Sequence, residues 1–179
     1  MASLAGGVIK HVLILVAMEA EAAPFVEHLK LAAEAEAGAH PKFGVVTYAG
    51  TYKSVRVTVA VNGKCKTGVD NVGTTPAAIT AFAVIQRVQP CLVINAGTAG
   101  GFGAKGASIG DAFVSTICRH HDRRIPIPGW DDYANGHHPS LNVPALVRAL
   151  GLKQGVVSTG NSLDYTPRDL ELMLANEGA

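Results

Sequence analysis

The stretch Leu92-Val-Ile-Asn-Ala-Gly-Thr-Ala-Gly-Gly101 decides how the chain is interpreted. A short apolar run ends at Asn95 and is followed at once by small residues and glycines. The run predicts a β-strand that is buried on both faces, as in parallel sheets. The glycines remove side chains, so that a ligand can contact bare backbone amides. Because open parallel sheets bind small molecules beyond the carboxyl ends of their strands, the stretch predicts a small-molecule site.

The composition is that of a globular domain. The chain has 179 residues, a length sufficient for one domain with its own core. Of these residues 48% are hydrophobic and 16% are charged, a balance typical of globular proteins. The net charge is +1, so electrostatics give no basis for binding nucleic acid or an anionic membrane. The apolar run at residues 12–18 is too short to span a bilayer. Three separated cysteines, Cys65, Cys91 and Cys118, predict reduced thiols in the cytoplasm rather than a disulfide framework.

Strand-like and helix-like patterns alternate along the chain, which predicts an α/β domain with a mixed sheet. Strands are expected at residues 12–17, 43–49, 55–61, 91–95, 111–117 and 156–157. Helices are expected at residues 21–30, 142–150 and 166–176 and from Thr75 through Ile85, with Thr75 and Asn142 as N-caps. Thr166-Pro-Arg-Asp169 forms a predicted capping box. Residues 125–142 are rich in Pro, Gly and His and predict a loop.

Glu21 is a candidate catalytic residue because of its position. It closes Ala17-Met-Glu-Ala-Glu21, just after the first predicted strand. A carboxylate at the carboxyl end of a strand is well placed to act as a general base. The same position suits a first-turn glutamate that interacts favourably with the helix dipole. The residues by themselves leave both interpretations open.

Other motifs point to no specific chemistry. Gly101-Phe-Gly-Ala-Lys-Gly106 matches G-x-G-x-x-G but leads into a strand rather than a helix, which predicts a connecting turn. Cys118-Arg-His-His-Asp122 and His137-His138 lack a standard zinc spacing and predict a loop with scattered histidines. Arg123 and Arg124 have two interpretations. They bind a phosphate or carboxylate group, or they are solvated charges on a loop.

Five motifs in order carry a family resemblance. They are Ala17-Met-Glu-Ala-Glu21, Asn95-Ala-Gly-Thr-Ala-Gly-Gly101, Ile109-Gly-Asp111, His121-Asp-Arg-Arg-Ile-Pro126 and Ser158-Thr-Gly-Asn-Ser-Leu-Asp164. Together they closely resemble the 5′-methylthioadenosine nucleosidases, some of which also cleave S-adenosylhomocysteine. The resemblance implies a three-layer, nucleoside phosphorylase-like α/β fold around a central mixed sheet. It also implies a cytoplasmic homodimer that acts on a small thio-nucleoside in methionine salvage, without metal or cofactor.

The resemblance implies roles for individual residues. Members hydrolyse the bond between adenine and a 5′-thio-substituted ribose, and Glu21 matches their water-activating base. The substrate-binding positions that it implies are Thr98, Ala99 and Gly100 around water and ribose, Leu163 and Asp164 at the adenine, and Val69 at the 5′-thio substituent. Asn161 is a departure, since the family usually has aspartate there; asparagine keeps the size but loses the charge.

The larger departure is at the end of the chain. The family continues into a Met-Glu-Gly-Ala type segment that binds the ribose hydroxyls and a Ser/Thr-Asp segment that protonates adenine. Here the sequence ends in Glu177-Gly-Ala179 without the preceding Met, and no ribose role is assigned to Glu177. We therefore expect residues 1–179 to form one domain that lacks its C-terminal strands and helix, with reduced stability and weak or no hydrolysis. The alternatives are a nucleoside phosphorylase and a non-catalytic fragment that binds nucleosides or pairs with intact subunits.

Overall fold

A computed structural model describes residues 8–34 and 44–175. Contacts divide the chain into two compact units, the first ending at Ala99 and the second beginning at Gly100. Phe43, at the start of a predicted strand, and Glu177 lie outside the described residues. The organisation of residues 1–179 as one domain stays a prediction.

The first unit is built on a mixed five-stranded sheet. Its elements are β1 His11–Val16, α1 Glu19–Leu29, β2 Ala32–Ala33, β3 Val46–Tyr52, β4 Val55–Val61, α2 Thr74–Val88 and β5 Leu92–Asn95. The strand order is β2-β3-β4-β1-β5. Strand β1 is parallel to both β4 and β5, whereas β3 is antiparallel to β2 and β4. The predicted α/β class with mixed strand directions is confirmed.

The side chains of β1 alternate between two apolar layers. Leu13 is fully buried in a cluster with Val84 of α2. Ile14 and Val16 point to the other face, in a cluster with Ala22 of α1. Since successive strand residues face opposite sides, one strand supplies both layers. The first unit is therefore a helix–sheet–helix arrangement of three layers.

Two details of the first unit differ from the prediction. The β5 strand is not buried on both faces, since Val93 and Ile94 are each 41% exposed. The reason is that β5 lies at the edge of the sheet and, among the described residues, pairs only with β1. Helix α2 is capped by Gly73 at φ 106° rather than by Thr75. Pro76 is tolerated in its first turn because N–H groups there have no intrahelical acceptor.

The second unit carries a three-stranded mixed sheet. Its elements are β6 Phe113–His120, α3 Asp131–Asn135, β7 His138–Pro139, α4 Pro144–Leu150, β8 Lys153–Thr159 and α5 Pro167–Ala175. In the order β7-β6-β8, β6 is parallel to β8 and antiparallel to β7. The predicted loop at residues 125–142 is wrong where it contains α3 and β7, because elements this short leave no hydrophobic period to detect. Helix α4 has Val143 rather than Asn142 as its N-cap, and it ends before Gly151, as predicted.

The predicted capping box begins α5. The Thr166 N–H donates to Asp169 Oδ2 at 2.8 Å, and the Asp169 N–H donates to Thr166 Oγ1 at 3.2 Å. Arg124 Nη2 donates to both carboxylate oxygens of Asp169, at 2.8 and 2.5 Å. Asp169 itself is only 2% exposed. Arg124 therefore pairs with a carboxylate of its own chain, while its side chain stays 56% exposed.

We expect the stability of α5 to depend on pH through Asp169. The Thr166 N–H and then its hydroxyl hold the pKa of Asp169 below its usual value, with the Arg124 guanidinium acting in the same direction. A depressed folded-state pKa contributes stability that is present above the unfolded value of about 3.9 and is lost as pH falls through the folded value. Amide protection factors along α5 should fall on acidification from pH 5 to pH 2. In Asp169→Asn this loss should be largely absent, and protection should already be lower at pH 7.

The exposed Glu171 on the same helix provides the control for this experiment. It pairs with Arg168 at the surface, where an ion pair contributes little. Glu171→Gln should therefore keep the pH dependence of the unaltered chain. An Asp169→Asn variant that retained the full acid dependence would contradict the assignment to Asp169.

Candidate active site

The carboxylate of Glu21 is held by the loop that follows β5. The Thr98 N–H donates to Glu21 Oε1 at 2.7 Å, and the Thr98 hydroxyl donates to the same oxygen at 2.6 Å. A Cβ added at Gly97 would lie 3.4 Å from that oxygen, an ordinary van der Waals contact, so the approach of the loop to Glu21 does not itself require glycine there. Oxygen Oε2 accepts the Met18 N–H at 3.3 Å, a long bond. An ionised carboxylate with one oxygen fixed and the other weakly held can orient and deprotonate a water molecule.

Sheet topology explains why these two segments meet. β1 and β5 are parallel neighbours, so the residues after each strand emerge at the same edge of the sheet. Glu21 lies in the first turn of α1, where its side chain caps the Met18 N–H. Of the two interpretations offered for Glu21, the helix-start role is therefore present in the structure. It coexists with the Thr98 contact, which a purely structural glutamate does not require.

Tyr48 fixes the start of α1 from the neighbouring strand. Its hydroxyl donates a short hydrogen bond to Glu19 Oε1. The Glu19 carboxylate, first through this hydrogen bond, raises the pKa of Tyr48 to about 12. Tyr48 therefore stays a neutral donor at physiological pH. The contact connects β3 to the turn that carries Glu21, and no local sequence pattern predicts it.

The loop that carries Val69 is also attached to the start of α1. Asp70 accepts a hydrogen bond from Lys64 Nζ at 2.7 Å and another from the Glu19 N–H. The Lys64 contact, as the largest cause, lowers the pKa of Asp70. The Val69 carbonyl accepts the Cys65 N–H at 2.8 Å, and its side chain is exposed. Asp70 was missed because one carboxylate in a short loop gives no pattern that points to a partner on a distant helix.

The remaining predicted contact residues lie on exposed loops. Ala99 and Gly100 directly follow Thr98 in the chain, and both are exposed. Leu163 and Asp164 lie in the second unit, between β8 and α5, and are also exposed. The structure thus brings Glu21 and Thr98 together, and it places Val69 on a loop attached to the same helix start. The assignment of Leu163 and Asp164 to the adenine stays a prediction.

The histidine-rich segments make structural contacts. The His121 imidazole Nδ1 lies 2.9 Å from Ser158 Oγ, and the rings of His120 and His138 meet edge-on with centroids 6.1 Å apart. The guanidinium of Arg123 stacks over Tyr133. Within residues 8–34 and 44–175, no group of three or more His, Cys, Asp or Glu side chains is placed to hold a metal ion. The cysteines in these ranges are free thiols, and no helix there is long and apolar enough to cross a membrane.

Known proteins are similar to this chain in sequence and in fold. The phosphorylase superfamily matches residues 11–179. A 5′-methylthioadenosine/S-adenosylhomocysteine nucleosidase of Arabidopsis thaliana is 41% identical over 170 residues, covering 94% of this chain and 67% of the relative. The chain belongs to this nucleosidase family of the phosphorylase superfamily. A second relative from the same plant, a 5′-methylthioadenosine nucleosidase, is 42% identical over 94% of this chain and 64% of its own length.

Solved structures of the family confirm the fold. The apo structure of Arabidopsis thaliana 5′-methylthioadenosine nucleosidase matches with a TM-score of 0.91 at 42% identity. The match covers 95% of this chain and 70% of that structure. The chain thus spans about two thirds of the length of the relatives that it resembles. The nucleoside phosphorylase-like fold expected from the motifs is confirmed.

Proposed function

We propose that this chain contributes to hydrolysis of the N-glycosidic bond of 5′-methylthioadenosine, giving adenine and a 5-thioribose. The observation that carries the proposal is the Glu21 carboxylate, bound through one oxygen by both donors of Thr98. A phosphorylase needs a site for phosphate, whereas a hydrolase needs a base that activates water. A carboxylate disfavours a phosphate anion beside it, so the arrangement favours water as the nucleophile.

The proposed reaction is balanced by one water molecule. Its oxygen forms a bond to the anomeric carbon while the bond from that carbon to adenine breaks, and one water proton passes to Glu21. The departing adenine takes up a proton on its ring, a transfer assigned to no residue of this chain. Positive charge that develops on the ribose is stabilised by the Glu21 carboxylate, as carboxylates do in glycoside hydrolysis. Thr98 keeps that carboxylate oriented throughout.

The substrate contacts belong to the same proposal. Ala99 and Gly100 present backbone to the ribose, Leu163 and Asp164 bind the adenine, and Val69 contacts the 5′-thio substituent. We propose that the protein acts as a cytoplasmic homodimer in methionine salvage. The name of one plant relative includes S-adenosylhomocysteine and the name of the other does not. Cleavage of S-adenosylhomocysteine should therefore be measured alongside cleavage of 5′-methylthioadenosine.

The direct test is adenine release from 5′-methylthioadenosine by the purified chain, followed by chromatography. Hydrolysis predicts that adenine and free 5-methylthioribose form in equal amounts and that added phosphate changes neither. Production of the ribose 1-phosphate would show a phosphorylase and contradict the proposal. Calorimetric binding of 5′-methylthioadenosine without turnover would instead support the non-catalytic alternative.

Thr98 provides a graded test of the water-activating arrangement. Thr98→Ala removes one of two bonds to Glu21 Oε1, and a hydrogen bond to a charged group contributes about 1.5–3 kcal/mol. We therefore expect kcat/KM for adenine release to fall about 10- to 100-fold. Thr98→Ser keeps the hydroxyl and should retain most of the activity. Equal losses in the two variants would show that the methyl group, not the hydroxyl, is what matters.

A further inference from the structure

The motif His121-Asp-Arg-Arg124 follows β6 and contacts the segment after the neighbouring strand β8. The His121 N–H donates to the Thr159 carbonyl at 3.1 Å, and the His121 imidazole contacts Ser158. Further along, Arg124 binds the buried carboxylate of Asp169 at the start of α5. Residues of this motif therefore contact the chain at both ends of the loop formed by residues 160–166.

Asp122 holds this loop through its backbone. The Asn161 N–H donates to Asp122 Oδ2 at 2.5 Å, and the Ser162 N–H donates to the same oxygen at 3.0 Å. Two consecutive backbone donors on one carboxylate oxygen fix the direction in which the chain continues toward Leu163. Charge-assisted bonds of this kind are stronger than those between neutral groups.

Gly160 makes the approach of Asp122 possible. A Cβ at this position would lie 2.4 Å from His121 Nε2 and 2.8 Å from Asp122 Oδ2. Real Cβ atoms do not approach other atoms so closely, so any larger residue would displace one or both side chains. The absence of a side chain at Gly160 therefore leaves room for the Asp122 carboxylate to accept the backbone N–H groups of residues 161 and 162.

Burial does not order the loop, because every residue from Asn161 to Thr166 is exposed. Leu163 in particular has no apolar surroundings among the described residues, since its side chain is fully exposed. Hydrogen bonds rather than apolar burial therefore hold the loop, among them those to Asp122 at its start and from Arg124 at its end.

We propose that Asp122 is a positioning residue for the purine site, fixing the backbone of residues 161–162 so that Leu163 and Asp164 are presented to adenine. The inference rests on the proposed function, in which these two residues bind adenine. A loop that is already ordered before binding loses less conformational entropy when the base arrives. Asp122 does not itself contact the reacting atoms, and its effect passes through the loop.

The experiment compares three variants of this contact and one control variant with the unaltered chain, by calorimetry with adenine and by amide hydrogen exchange. Asp122→Ala removes both bonds and should weaken adenine binding about 10- to 100-fold, with faster exchange at Asn161 and Ser162. Asp122→Asn keeps an oxygen that accepts both N–H groups, so we expect a loss of only about threefold. Gly160→Ala should shift the Asp122 carboxylate and weaken adenine binding in the same direction as Asp122→Ala, by a smaller factor. Glu171→Gln, an exposed carboxylate of the same unit, serves as the control and should bind adenine normally.

Each outcome supports or overturns the inference. The thermal midpoint of each variant shows whether it is folded, and rescue by asparagine but not alanine separates positioning from general destabilisation. Normal adenine binding by a folded Asp122→Ala chain would overturn the role of Asp122 while leaving the proposed function intact. No adenine binding by the unaltered chain would overturn the purine role of the loop. In that case hydrogen exchange would still report whether Asp122 orders residues 161–162.

Discussion

Relative to the unaltered chain, whose own turnover is expected to be weak, replacing Glu21 with glutamine is expected to lower the rate of adenine release by about 10²–10⁴-fold, the usual contribution of a general base. Glutamine keeps a carbonyl oxygen that can accept both the N–H and the hydroxyl of Thr98, so the local structure should survive. What it loses is the negative charge and the ability to take a proton from water. Binding of 5′-methylthioadenosine, measured by calorimetry, should therefore change much less than the rate.

The matched control lies on the same helix. Glu27 is an exposed glutamate of α1, and Glu27→Gln should leave both rate and binding unchanged. A Glu21→Gln variant that hydrolyses as fast as the unaltered chain would remove Glu21 from the mechanism. A variant that loses binding together with activity would indicate a structural role for Glu21 at the start of α1.

Replacing Leu13 with alanine should destabilise the first unit by about 2–5 kcal/mol, the range for truncating a buried leucine. Leu13 lies on the internal strand β1 and is fully buried between the sheet and α2, in a cluster with Val45, Ala60 and Val84. The sheet cannot close such a cavity without breaking its hydrogen-bond register. Native-state hydrogen exchange of β1 and β4 amides measures this loss without requiring the two units to unfold together.

Leu150 on α4 allows the same substitution at an exposed position. Its side chain is 64% exposed, so Leu150→Ala removes little buried apolar surface and should change stability by less than about 0.5 kcal/mol. If Leu13→Ala were equally mild, the packing of α2 against the sheet would not be a major source of stability. Any effect on catalysis should follow the loss of folded protein rather than a change in KM.

The sequence predicted the candidate site to different extents in its two parts. Glu21 and the Thr98 loop were identifiable because each directly follows a strand with a strong apolar signal. Their contact requires in addition that β1 and β5 be neighbours, which no local pattern states. The supporting residues Tyr48, Asp70 and Asp122 could not be predicted, because their partners are far away in the sequence or are backbone N–H groups.

The fold, like the candidate site, was predictable from the sequence only in part. Strong signals such as the apolar strand at β4 and the Thr166 capping box were predicted at the right residues. The burial of β5 was predicted wrongly, because an apolar run has the same pattern at the edge of a sheet as at its centre. The N-cap of α2 was also wrong, since Gly73 caps through backbone conformation rather than a side chain.

By itself, the sequence determined the α/β class, the family and the identity of the candidate base, because these depend on residue order and local apolar periodicity. The tertiary structure alone decided that Thr98 binds Glu21 and that Asp122 binds the loop after β8. Both contacts join the ends of parallel strands that are neighbours in space but distant in the chain. Strand order is selected by packing over a whole sheet, so only the folded chain brings these donors and carboxylates together.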